Sequence, residues 1–467
     1  MKILLVRNSG FRGETNITGV YPPLGIAYLA AVLRNSGYQV KILDNQVLNL
    51  NRESLKKEIK KSSPDIVLLS SMTPLWPASL EAAKIAKEIS PRIIVGSGGP
   101  HMAVYLRESL LSGLIDFGVY GEGENTIIDV LKQLENKNGL DEVKGCVFRK
   151  NGETIVNPPR EEIENLDDIQ FPAVDLLPHK RYFALLVDHP FMTMITSRGC
   201  LYKCKFCFQG YLGKYRFRSP ENVVEEMDIC VNKYGVREII IFDETFAAEK
   251  ERVIKICELI KKKRLRFKWD IRTRVDLLDR DLLESLKSAG CCRLHLGIES
   301  GNQEILNRMS KGINISQIDK KIRLASELGF ELRGYFMLGY PGETSSTIFD
   351  TIKFARHLPL DWASFTVTIG LPGTEIYNNA LKNQYFRADY WREYTKGNYL
   401  DSKPYFVPEG MKEKDLFELK KKAYWEFYSR PRIICNVLKS LNPVSLIKNS
   451  RAFIKFLPLA YNSITKF

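Results

Sequence analysis

Three cysteines stand within eight residues in the stretch Ser197-Arg198-Gly199-Cys200-Leu201-Tyr202-Lys203-Cys204-Lys205-Phe206-Cys207. Thiolates are soft donors, and Gly199 loosens the chain just ahead of them, so the three can converge on one soft metal centre. A zinc ion would need a fourth ligand, and no further cysteine or histidine repeats the spacing nearby. A four-iron cluster usually takes four cysteines, and three would leave one iron open to chelate a small molecule and pass it an electron. The spacing points to an iron–sulfur centre in preference to zinc or to cysteines that are simply buried.

Such a loop must be carried by rigid elements, and the hydrophobic pattern supplies two α/β series. Strand-like runs at 2–7, 40–43, 66–70, 93–96 and 117–120 alternate with helices, the first at 24–36 and closed by Gly37. This pattern predicts a Rossmann-like, flavodoxin-like parallel sheet over residues 1–140, with any ligand outside the carboxyl ends of its strands. Residues 141–190 hold an Asn151-Gly152 hairpin and five prolines, and read as an interdomain linker.

From 191 to 385, strands at 192–197, 238–243, 268–274, 293–299, 331–338 and 364–369 alternate with helices. The helix at 220–234 is capped by Ser219, begins with Pro220 and ends at Gly235. Six such units predict a partial (β/α)6 barrel with its active site at the carboxyl ends of the strands. Residues 386–467 form a helical C-terminal region, aromatic-rich at 385–405 and strongly helical at 412–429.

Composition bounds the partners. The 467 residues carry a net charge of +14, and six of the basic residues (Arg432, Lys439, Lys448, Arg451, Lys455, Lys466) lie in a tail from 431 with no acidic ones. That tail suits an interfacial helix on anionic lipid, or equally a terminal helix with a solvated basic face. No zinc finger, basic helix or aromatic single-strand platform argues for nucleic acid. Nine cysteines, clustered and odd in number, fit a reducing, cytoplasmic setting, peripheral to the inner face of the membrane if the tail binds lipid.

The C-x3-C-x2-C loop, with Phe206 just before its last cysteine, resembles the radical S-adenosylmethionine (SAM) superfamily. The resemblance implies a 4Fe-4S cluster on Cys200, Cys204 and Cys207 that binds SAM and cleaves it to methionine and a 5′-deoxyadenosyl radical. It implies SAM contacts at Phe206 and, from Ile239 to Phe246, at Asp243 and Glu244, whose other reading is helix capping. It further implies a ribose contact at Glu299 in Gly297-Ile298-Glu299-Ser300-Gly301, a carboxylate contact at Arg272 or Arg274, and close backbone approach at Gly339. A turn at Glu299, a strand end at the arginines and a strand–turn–helix joint at Gly339 are the alternatives. The stretch 371–377 looks like the segment that closes these barrels.

The first domain lacks the G-x-G-x-x-G of nicotinamide and flavin sites. Tyr21-Pro22-Pro23-Leu24-Gly25, the loop from Gly96 to His101 and the turn Gly121-Glu122-Gly123-Glu124 resemble the cobalamin-binding domain that precedes the barrel in one large class of the superfamily. That resemblance implies cobalamin contacts at Thr73, Gly98, Gly99, Pro100, Gly121 and Glu122. The Asp-x-His-x-x-Gly signature of cobalt-ligating domains is missing, so His101 reads as a loop residue and a degenerate scaffold is the alternative. The implied activity is cobalamin-dependent methyl transfer to an unactivated carbon. Oxidative cyclisation or rearrangement, as in the tetrapyrrole cyclases of this class, is the alternative; a non-catalytic cluster or cobalamin protein is the reading from another class. Substrates would be small molecules, lipids or tetrapyrroles, with a flavodoxin- or ferredoxin-type electron donor, and the aromatic stretch around Trp391 would line the mouth.

Overall fold

The computed structural model describes residues 1–8, 19–184, 186–208, 210 and 213–433. Most of the loop expected after the first strand, and the basic tail beyond 433, lie outside the described residues.

The first sheet is built from β1 (Lys2–Arg7), β3 (Gln39–Asp44), β4 (Ile66–Ser70), β5 (Ile94–Gly98), β6 (Phe117–Val119), β7 (Cys146–Lys150) and β8 (Glu153–Val156), with β2 (Gly19–Val20) standing outside it. Its order is β3-β1-β4-β5-β6-β7-β8, parallel through β6 and antiparallel thereafter. Alternate residues feed two cores: Ile3, Leu5, Ile66 and Leu68 pack one face, while Leu4, Val6, Val67 and Leu69 pack the other. Two-sided burial of near-continuous apolar strands is what a helix-covered parallel sheet requires. The order reverses between β1 and β4, which places the ligand crevice at the loops following those strands.

One boundary differs from the sequence reading. The Asn151-Gly152 turn forms as expected, with φ of 53° and 85°. Its two strands, however, pair onto β6 as the antiparallel edge of the first sheet. The segment 141–190 therefore contains part of that sheet, and only the chain after it runs between the two units.

β9 (Phe183–Ala184) pairs with β2 and stitches the first unit to the second. The second sheet comprises β10 (Phe191–Met194), β13 (Glu238–Ile241), β14 (Lys268–Arg274), β15 (Cys291–Glu299), β16 (Glu331–Leu338) and β17 (Trp362–Val367), all parallel and in sequential order. A two-stranded ribbon, β11 (Ser197–Arg198) with β12 (Arg216–Phe217), leaves the end of β10. Helices at Pro220–Asp228, Lys250–Lys262, Arg280–Ser288, Ile315–Glu327 and Ser345–His357 cover one face through Ile271, Leu294, Leu296, Leu332 and Phe336. Ser219 caps the first of them by accepting from Asn222 N at 3.2 Å, as its sequence predicts.

The open edge at β17 is covered by the helix Glu413–Tyr428. Tyr428 Oη accepts from Ala363 N at 3.3 Å and donates to Ala363 O at 2.9 Å, and Tyr424 Oη accepts from Phe365 N at 3.3 Å. These hydroxyls satisfy backbone groups that would otherwise be a template for another strand. No helix among the described residues is long and apolar enough to cross a membrane.

Tyr428→Phe removes both bonds to Ala363 while keeping the ring. It should cost about 1–3 kcal/mol of unfolding free energy by denaturant titration; an unchanged value would show that the edge does not need this cover.

Candidate active site

The cysteine loop hangs from a buried polar anchor. Asp243, 1% exposed beyond the end of β13, accepts from Thr196 N at 2.6 Å, Thr196 Oγ1 at 2.5 Å and Ser197 Oγ at 2.8 Å. Arg252 approaches the same strand end, donating to Thr196 O and Arg218 O at 2.8 Å each. Gly199 follows with φ +84°, where a Cβ would lie 2.2 Å from Lys214 O, so no other residue fits this crossing of the ribbon. The loop turns back on itself at Cys207 N to Cys204 O, 3.0 Å.

Two further segments grip it. Lys205 N donates to Met309 O at 3.2 Å and Lys205 O accepts from Ile376 N at 3.3 Å, while the Lys205 ammonium pairs with Glu375 at 3.4 Å. A Cβ on Gly373 would strike the Phe208 ring at 2.3 Å. The stretch 371–377 is thus a wall of the cysteine loop. Phe206 packs among Ile305, Met309, Tyr340, Ile376 and Phe406, with the Lys311 ammonium 5.8 Å from its ring centre.

Cys204 is buried, Cys200 and Cys207 are partly so, and all three are free thiols. Burial pushes the Cys204 thiol up and the Cys207 thiol up to about 12. Cys200 Sγ lies 3.7 Å from Thr245 Oγ1, and Cys204 Sγ accepts from Arg274 at 3.8 Å. No group of three His, Cys, Asp or Glu side chains among the described residues is gathered tightly enough to hold a single metal ion. As a donor set, three soft thiols on one short loop beside Arg274 fit an iron–sulfur cluster.

Around the thiols lie several of the expected SAM residues. Glu299, at φ +69° and following a register shift between β15 and β16, pairs with Lys311 at 3.0 Å; Gly297 leaves the space for this pair, since a Cβ there would sit 2.5 Å from the carboxylate. Arg274 makes two bonds to Asp276 at 2.9 and 3.0 Å, donates to Lys311 O, and stacks 3.8 Å from the Tyr202 ring centre. Glu244 makes no hydrogen bond or ion pair among the described residues; its side chain reaches solvent, while surrounding protein and the Asp243 charge push its carboxyl above the usual range. Arg272 is turned to the Ile241 carbonyl at 2.8 Å and covers the Phe242 ring at 3.7 Å.

Several sequence expectations are corrected. Asp243 gives its carboxylate to Thr196 and Ser197, which makes it an anchor of the loop. Gly339, φ +79°, is needed because a Cβ would meet Phe406 O at 2.7 Å, so protein, not ligand, occupies that approach. Glu122 is consumed by Arg198 at 2.9 Å and Arg216 at 3.0 Å, with Glu124 on Arg198 at 2.5 Å. Burial alone would raise the Glu122 carboxyl, but bonding from Arg216 and the Arg198 charge hold it below its usual range. Trp391, 4% exposed, donates to Gly370 O at 2.6 Å and packs with Tyr105, Tyr377 and Tyr390. It joins the C-terminal region to the first domain.

At the first domain's strand ends, Gly99 is required by the Ser71 backbone, 2.9 Å from its would-be Cβ, and Thr73 Oγ1 meets His101 Nδ1 at 3.2 Å. His101 is fully buried against Trp76, and burial lowers its pKa to about 3, so it is a neutral packing residue. Gly98 and Gly121 have open space where a Cβ would point (Val119 O at 3.6 Å is the single neighbour of Gly98), and Met72 beside them is 56% exposed. Pro100 is partly exposed on the same loop. This glycine-lined edge fits a large flat ligand. Sequence reasoning missed Lys311, Thr196 and the Arg198–Arg216 pair. The hydroxyls directly ahead of Arg198-Gly199-Cys200 were the one available signal.

Residues 194–355 match the radical SAM superfamily, and residues 15–131 match the B12 binding domain. An uncharacterized methyltransferase of Pyrococcus horikoshii is 36% identical over 443 residues, spanning 93% of this chain and 94% of the relative. The chain belongs to the radical SAM superfamily. Within it, this chain carries a B12-binding domain and is methyltransferase-like. The anaerobic magnesium-protoporphyrin IX monomethyl ester cyclase of Rubrivivax gelatinosus is 28% identical over 92% of this chain and 77% of its own length. Among solved structures, the radical SAM methyltransferase TsrM of Kitasatospora setae, with cobalamin and cluster bound, shares the fold at a TM-score of 0.68. It is 18% identical, with 82% of this chain and 78% of that one covered.

Two outcomes check this site. Asp243→Asn sets an amide against Thr196 N–H and should cost about 2 kcal/mol or more. It should also lower the iron retained after reconstitution; full iron with weakened SAM binding would return Asp243 to the SAM site. Glu343, 2% exposed, accepts from Gly339 N and Tyr340 N at 2.6 and 2.9 Å, yet burial pushes its carboxyl up to about 7. The folded state therefore holds this proton more tightly than the unfolded chain, and stability falls as pH rises from about 4.5 to about 7. Glu343→Gln should gain on the wild type by roughly 3 kcal/mol across that window; a pH-independent difference would refute the shift.

Proposed function

We propose that Cys200, Cys204 and Cys207 each ligate one iron of the cluster, that its fourth iron takes SAM, and that a methyl group passes from cobalamin to an unactivated carbon of a small-molecule substrate. When bound, these groups would relay the electron, provide the radical and carry the methyl group. The single observation that carries the reading is that the cysteine loop, with Glu244, Arg274, Glu299 and Lys311 around it, is tied through Arg198 to the glycine-lined edge of the first domain.

The chain's own residues position and neutralise. Glu244, unpartnered, accepts from the SAM ammonium. Lys311 and Arg274 supply positive charge beside the thiols, opposing the repulsion among clustered thiolates. The Glu299 carboxylate, fixed by Lys311, accepts from a ribose hydroxyl. Gly98, Gly121 and the loop through Pro100 give cobalamin a flat approach without side chains. An external flavodoxin- or ferredoxin-type protein supplies the electron. The methyltransferase relative favours methyl transfer; the likeness to the cyclase supports oxidative cyclisation as the second reading.

Anaerobic reconstitution with iron, sulfide and hydroxocobalamin, then dithionite and SAM, tests this. Wild type should bind both cofactors and release 5′-deoxyadenosine, while Cys204→Ala should lose the cluster absorption and all SAM cleavage. A brown, active Cys204→Ala protein would sink the three-cysteine ligation, and 5′-deoxyadenosine formation without bound cobalamin would sink methyl transfer.

A further inference from the structure

The helix-free face of the second sheet is polar in tiers. Its floor is a buried ion-pair plug: Arg293, 4% exposed, binds Glu238 at 2.6 Å, Asp270 at 3.0 Å and Glu331 at 2.9 Å, and Arg333 shares Glu331 at 2.8 Å. Above the floor the face opens. Along β16 and β17 every second residue is accessible (Arg333, Tyr335, Met337, then Trp362, Ser364, Thr366), while the residues between them are buried under the helices.

Arg272 stands at this opening. In register it lies beside His295 and Arg333, one tier beneath the Arg274 that touches Cys204. Each other arginine of the face has a carboxylate: Arg293 three, Arg333 Glu331, Arg274 Asp276. Arg272 has none. Among the described residues its one hydrogen bond goes to Ile241 O and its flat side lies on Phe242, which leaves the rest of its donor fork without a protein acceptor there. Tyr21, entering from the first domain and wedged edge-on against Phe191 and Phe242, brings a hydroxyl with no partner among the described residues into the field of Arg272, Arg333, Asp270 and Arg293. Tyr335 is held beside them by its 2.6 Å bond to His295.

A guanidinium fixed on an aromatic face, with its fork free in a partly desolvated recess, is a receptor for a planar or tetrahedral oxyanion. We propose that Arg272 and Tyr21 form a subsite for an anionic substituent of the substrate, a carboxylate or a phosphate, seated one tier below the cysteine loop. The assignment rests on the proposed function and narrows it: the substrate is an anionic small molecule, held by its charged end while its reacting carbon lies toward the cofactors.

The test uses the reconstituted full-length holoenzyme and three probes of similar size, phenylphosphonate, benzoate and neutral benzamide, titrated calorimetrically with and without saturating SAM. At least one anion should bind, benzamide at least tenfold more weakly, and the tighter anion tells phosphate from carboxylate. Arg272→Gln should weaken that anion by about ten- to a hundredfold, the worth of a charge-assisted bond. Tyr21→Phe, which keeps the ring, should weaken it several-fold, and decides the matter if Arg272→Gln loses its cluster. Anion binding must persist with SAM present. No anion binding, equal binding of benzamide, full affinity in Tyr21→Phe, or displacement by SAM would each overturn the subsite, the last by assigning Arg272 to the SAM carboxylate. Formation of 5′-deoxyadenosine by the wild type is scored separately; its absence would sink the proposed function while probe binding still judges the subsite.

Discussion

A carboxylate taken out of water must be matched by donors, and Asp243 meets that demand with the strand end that launches the cysteine loop. Beyond Met194 the chain leaves the sheet and its backbone groups lose their ladder partners. Asp243 then takes the Thr196 N–H while Arg252 donates to the Thr196 carbonyl. A buried anion and a buried cation thus meet the two ends of one residue. The ribbon, the Gly199 crossing and the thiols beyond it inherit their position from that arrangement. Carboxylate-to-amide bonds are short and directional, which is what a loop without regular structure needs for a fixed geometry.

The same ribbon carries the coupling between domains. Arg198 and Arg216, on its two strands, both reach Glu122 at the start of the helix Gly123–Glu135. A second seam lies farther out, where Trp76 donates to Thr395 O at 3.2 Å and Tyr105 and Tyr377 both bond Asp389. Buried ion pairs add little net stability because desolvation offsets their attraction, but they fix relative orientation. Two enclosing seams make the edge of the B12-binding domain and the cysteine loop parts of one frame. Chemistry that needed both edges at once would depend on such a frame, since small misplacements are costly in rate.

Much of the architecture was legible in the chain, for local reasons. Ser219-Pro220 and Gly235 mark a helix by capping chemistry that acts within a few residues, and Asn151-Gly152 specifies its turn in the same way. What that hairpin pairs with is a long-range fact, and there the sequence reading stopped at a linker. The site shows the same division. Cys200, Cys204 and Cys207 are adjacent in sequence, so their chemistry could be read directly. Asp243 could not be assigned, because a carboxylate at a strand end looks alike whether it faces ligand or a Thr196 lying 47 residues earlier. Glu122 was taken for a ligand contact because its partners stand 76 and 94 residues away. An aromatic residue's type does not reveal which surface it covers, and the packing of Trp391 against Tyr105 of the first domain is again a long-range fact.

One signal was present and unused. Strands of a helix-covered parallel sheet are apolar on both faces when both are packed. Here charge and hydroxyl recur with period two at Asp270, Arg272 and Arg274, at Arg293 and His295, and at Glu331, Arg333 and Tyr335. Between them Ile271, Leu294, Leu296, Leu332 and Phe336 fill the helix-covered core. Stability does not account for this pattern, since an apolar plug of equal volume would hold the strands at least as well as the Arg293 ion-pair network. The network instead gives the tiers above it a polar floor of fixed orientation. On that floor's upper side Arg272 forms no ion pair among the described residues, and a polar group held in such a recess without a direct partner carries a cost that a bound anion would offset.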